Sequence, residues 1–127
     1  MLRFLIIVSG AVEVAFGLSA LVVPNVVIDI LFGTGADATA IALTRVLGAA
    51  TLALGAAALL ARNDLRSTGG LSVAYCLTAY NLLAAVLLAW AAATGLGGTA
   101  LLVAASFHAL MGAALTYALA PHIRMPG

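Results

Sequence analysis

Four apolar stretches separated by short turns fill most of this sequence, and each carries one strongly polar side chain within it: Glu13, Arg45, Asn81 and His108. A helix rising about 1.5 Å per residue needs roughly 20 residues to cross about 30 Å of hydrocarbon. The runs over about 2–23, 39–61, 71–93 and 99–120 meet that length. The sequence therefore predicts an all-α, integral membrane bundle of four transmembrane helices in a single domain, 1–127. A composition of 65% hydrophobic and 7% charged residues lies far from that of a water-soluble domain, so lipid is the expected solvent for most of the chain.

The connections are read from their breakers. Pro24-Asn25 ends the first span, and Val26 to Ala38 is too short to cross, so it reads as a short helix at the interface that carries Asp29. Arg62 to Gly70 is the one clearly hydrophilic loop, Thr94 to Gly98 is a tight turn, and Pro121 is expected to end the fourth span. Arg3, Arg62, Arg66 and Arg124 all fall on one side of this zigzag, opposite Asp29 and Asp37. Positive residues flanking spans stay in the cytoplasm, which predicts cytoplasmic N and C termini and a multi-pass protein of the inner (plasma) membrane. Reading the first 20 or so residues as a cleaved signal peptide is disfavoured, because Glu13 interrupts the run where such a segment is most apolar.

Several classes are excluded. A formal charge of +1, with five basic residues in all, gives no surface for nucleic acid. The lone Cys76 lies in an apolar stretch and is expected to be a small core residue, with no disulfide or cysteine metal site. His108 and His122 lie on one predicted helix and cannot serve one centre from two helices, so no metal site and no resident cofactor is expected, a bound quinone aside. Trp90 reads as an interfacial anchor, and Gly33-Thr-Gly35 lacks the P-loop pattern.

A charged side chain near the bilayer centre costs roughly 2.5 to 3.5 kcal/mol, so Glu13 and Arg45 are expected to point inward. Residues three or four positions from Glu13 are Ser9, Gly10, Phe16 and Gly17, a mostly small face that suits close approach of another helix. Gly48 and Gly55 occupy the corresponding stripe beside Arg45, Thr78 and Ala85 stack with Asn81, and Ala104, Ala105, Met111 and Gly112 stack with His108. The expected centre is a hydrogen-bonded Glu13–Arg45 ion pair with Asn81 and His108 near it and Tyr80, Tyr75 and Thr78 as supporting donors. Two uses of such a centre stand side by side: structural glue that fixes helix order, and a site for the polar head of a lipophilic ligand or for protons.

The run Arg3, Ile6-Ile-Val-Ser-Gly10, Glu13, Gly17, Pro24, Arg45-Val-Leu-Gly48, Leu54-Gly55 and Ala61-Arg62 resembles the small four-helix membrane proteins of the DoxX-like group over about the first half of the chain. That resemblance implies a four-span bundle and, for some members, association with quinone-linked oxidoreductases. Over about ten residues, Ala11-Val-Glu13-Val with Gly17 is also similar to the first helix of small multidrug resistance transporters, whose embedded glutamate exchanges protons for cationic drugs. A buried Arg45, a long first loop and a third span without that family's glycine- and aromatic-rich pattern depart from it.

The expected function is an accessory or lipophile-binding subunit for a quinone, isoprenoid or sterol-like ligand, working as a homo-oligomer or within a larger membrane complex. One alternative is a membrane-embedded enzyme using Glu13 or His108 as acid or base on a lipophilic substrate while Arg45 polarises an oxygen. The other is a proton-coupled multidrug transporter.

Overall fold

Backbone polar groups that meet no water must be satisfied within their own segment, and the chain meets this demand with helices throughout. The computed structural model describes residues 1–123 and contains α1 (Leu2–Val22), α2 (Pro24–Phe32), α3 (Ala38–Ala61), α4 (Thr68–Ala93) and α5 (Thr99–Ile123). All but α2 are long and apolar enough to cross a membrane. Their surfaces are inverted relative to a soluble protein: Leu43, Val46, Leu60, Leu83, Val86 and Leu110 are exposed, while Ser9, Glu13, Thr51 and Asn81 are buried.

Local chemistry sets the helix ends. Pro24 has no N–H to continue α1, so the chain bends at Val23 and restarts with Pro24 in the first turn of α2. The short connecting segment is thus helical over Pro24–Phe32 rather than Val26 to Ala38, and Gly33 closes it in the left-handed conformation at φ 66°. Asp37 caps α3 by accepting from the Ala40 N–H at 2.7 Å. Ser67 does the same for α4 through the Gly70 N–H at 3.0 Å, so helix begins at Thr68, inside the stretch expected to be loop. Pro121 lies within α5 instead of ending it: a proline in the last turn removes one backbone bond, and only two helical residues follow it. Arg124, one of the four arginines behind the expected topology, lies outside the described residues.

The long helices pack chiefly in two pairs, α1 on α3 and α4 on α5. The α1–α3 seam is made by glycines seven residues apart on each helix. A methyl group added at Gly17 would come within 2.6 Å of the Leu52 nitrogen and 2.7 Å of the Gly48 oxygen. One added at Gly55 would come within 2.6 Å of the Gly10 oxygen. Gly17 thus faces Gly48 and Gly10 faces Gly55, an antiparallel register in which backbones touch, the close approach that small residues permit in lipid. An apolar core lies toward the end holding the α1 N-terminus and the α3–α4 turn, where Ile6, Ala58, Ala74, Leu77, Met111, Leu115 and Leu119 meet.

Candidate functional site

Nearer the middle of the helices this apolar core gives way to polar side chains from α1, α4 and α5. Glu13 is 1% exposed. Its stem lies against α3, where a methyl group at Gly55 would meet Glu13 Cβ at 2.9 Å, and its carboxyl Oε1 lies 4.0 Å from His108 Nδ1 on α5. That separation is at the limit of an ion pair and beyond hydrogen-bond length. Oε1 is buried and accepts no hydrogen bond.

Asn81 of α4 organises the rest. Its Nδ2 donates to Ser9 Oγ on α1 at 3.0 Å and to the Leu77 carbonyl at 2.8 Å, and its Oδ1 lies 2.9 Å from His108 Nδ1. Both amide hydrogens are committed to acceptors, so Oδ1 is left to accept, which assigns the ring proton of His108 to Nδ1 and leaves Nε2 as an acceptor. The imidazole is 12% exposed and sits edge-on to Tyr80, with ring centroids 5.6 Å apart and planes at 84°. Three helices are thereby joined through one amide: Ser9 from α1, Asn81 from α4 and His108 from α5.

Arg45 does not take part. It is exposed on α3 and lines a recess with Val22, Val23, Pro24, Asn25, Val26 and Ile41 at the α1–α2 corner. The expected Glu13–Arg45 ion pair is therefore corrected: among the described residues, the ion-pair-range contact of Glu13 is with His108. The seam register supplies the reason. Gly17 facing Gly48 and Gly10 facing Gly55 each sum to 65, which sets position 45 level with position 20 of α1. Glu13 lies seven residues away from that level, 20 minus 13, or about 10 Å along the axis.

Other expected members also separate. Thr78 is buried, but its hydroxyl donates to the Ala74 carbonyl of its own helix at 2.7 Å. Tyr75 is 39% exposed and Cys76 is exposed, so the cysteine lies on the outer surface of α4 and not in the core. Ser9 belongs to the site, which its residue type alone does not signal. The available signal was its position four residues before Glu13, one helical turn away on the same side.

The arrangement offers one unmet acceptor, an imidazole held by an amide, and a neighbouring phenol ring. Open recesses at Arg45 and at Arg3, Arg62 and Arg66 indent the surface of the described residues, and neither is lined by this cluster. Compared with protein-family models, curated proteins and solved structures, the chain matches none.

Proposed function

We propose that the protein is a multi-pass component of the inner membrane, a four-helix bundle with cytoplasmic termini, that binds the polar head of a lipophilic molecule at Glu13, Asn81 and His108. The observation carrying this reading is Glu13 Oε1, a buried acceptor without a partner in a helix layer whose outer surface is apolar. Leaving such an atom unmet costs about 1 to 3 kcal/mol, and a ligand hydroxyl donating to it would recover much of that. The chemistry favours a ligand that brings a donor: a quinol, an isoprenoid alcohol or a sterol-like alcohol. His108 and Tyr80, partly exposed beside Glu13, are the side chains through which such a head group would reach it from the lipid. An accessory role within a homo-oligomer or a larger quinone-linked complex fits this reading and the DoxX-like resemblance.

The test is a titration of the purified full chain in mild detergent with a lipophilic alcohol and with its O-methyl ether. The alcohol should bind wild type about tenfold more tightly than it binds Glu13→Gln, a difference of about 1.4 kcal/mol. The ether should bind both weakly and alike. Equal binding of alcohol and ether to wild type removes the reading.

A second reading gains from one observation. The displacement of Arg45 from Glu13 leaves the acid without the guanidinium that counted against proton-coupled transport. Proton-driven movement of a lipophilic cation by reconstituted protein, lost in Glu13→Gln, would favour it over ligand binding.

A further inference from the structure

Arg3, Arg62 and Arg66 come from two separate segments and line one open recess of about 640 Å³ together with Asn63, Asp64 and Leu65. A general preference for positive residues on the cytoplasmic side accounts for arginines at this end of the helices, but not for their convergence on a single recess. Arg3 stands in the first turn of α1 and Arg62 caps the end of α3, so both lie at the ends of apolar helices of membrane-spanning length, where head groups are expected.

The turn that carries Arg62 and Arg66 is fixed in place. Ser67 Oγ donates to the Asp64 carbonyl at 3.1 Å and accepts from the Gly70 N–H at 3.0 Å. Gly70 lies so close under the turn that an added methyl group would overlap the Asp64 carbonyl oxygen. Arg62 Nη1 donates to the Leu59 carbonyl, which ties that guanidinium to the end of α3. None of the three arginines has a carboxylate within 4.0 Å among the described residues, although Asp64 lines the same recess. Three positive forks against one carboxylate leave the recess short of negative charge, and the planar guanidinium pairs with phosphate oxygens two at a time.

We propose that this recess binds the phosphate of an anionic phospholipid head group. It is independent of the ligand read for Glu13 and lies at the helix ends, away from that mid-span cluster. Basic pockets at the cytoplasmic ends of membrane helices favour anionic head groups by charge, and that attraction weakens as salt rises.

The test uses the full chain in mild nonionic detergent, titrated with short-chain phosphatidylglycerol, phosphatidylcholine and sodium phosphate, with bound lipid read by native mass spectrometry. Phosphatidylglycerol should bind at least about tenfold more tightly than phosphatidylcholine, and the difference should shrink in high salt. The triple variant R3Q/R62Q/R66Q should lose the preference, and R45Q should keep it. Should the triple variant fold poorly, R66Q alone should weaken phosphatidylglycerol binding about threefold, whereas D64N should strengthen it. Equal binding of the two lipids, an undiminished preference in R66Q and the triple variant, or an equal loss in R45Q would overturn the proposal. Competition by sodium phosphate at the same concentration as the lipid would overturn the lipid assignment and give the recess to the free anion.

Discussion

Helix α1 presents two faces built on opposite principles. Toward α3 it offers Gly10 and Gly17, where the two backbones come into contact among the small side chains of Ala20 and Ala58 and the stem of Glu13. Toward α4 and α5 it offers Ser9 and Glu13, whose polar atoms meet Asn81 and approach His108. The first face is closely packed: a methyl group added at Gly17, Gly48 or Gly55 would come within 3.0 Å of atoms across the seam. The second is incomplete, because Glu13 Oε1 has no donor. In lipid, dispersion at close range can hold a helix pair without polar groups, whereas a polar cluster repays its desolvation only when its members are satisfied. A seam that is finished fits a structural role, and a cluster that is unfinished fits a role that something else completes.

This contrast can be broken at both ends. The largest effect belongs to the seam: Gly17→Leu forces a side chain into the α3 backbone and should cost about 3 kcal/mol or more, or prevent folding, as read by unfolding of the purified protein in mixed detergent micelles. A loss below about 1 kcal/mol would mean that α1 and α3 are not in backbone contact. Next comes Asn81→Ala, which strips Ser9 and His108 of their shared partner and should cost about 1 to 2 kcal/mol in the same assay.

Glu13→Gln should change stability by less than about 1 kcal/mol, since the carboxyl makes no hydrogen bond through Oε1, while removing the tighter binding of a lipophilic alcohol. A large loss of stability with unchanged binding would turn the cluster into structural glue. Arg45→Gln should have the smallest effect, within about 0.5 kcal/mol, because the side chain is exposed and apart from Glu13. Were the two residues a buried ion pair, removing the arginine would cost about 3 to 5 kcal/mol, so this one variant separates the two geometries.

The small faces that form the seam are legible in the sequence, Gly10 and Gly17 around Glu13 and Gly48 and Gly55 beside Arg45, but which face meets which is not. The mid-span positions of Asn81 and His108 likewise place them at similar depth. Partner choice is less legible. Ser9 reads as one more small residue until Asn81 is seen to donate to it, and Thr78 reads as a free donor until its hydroxyl is seen bonded to its own helix. Cys76 shows the same limit, since an apolar helix surrounded by lipid gives little periodic signal to tell its inward from its outward face.

The sequence by itself determined four apolar helices of membrane-spanning length, the turns that separate them and the small-residue faces on which polar groups sit, because hydropathy, length and side-chain size are local properties. Only the tertiary structure decided that Glu13 meets His108 and not Arg45. Axial register and rotation of one helix against another are set by how glycine faces interlock across the seam, and that fit put Arg45 level with Ala20, about 10 Å along the axis from the acid.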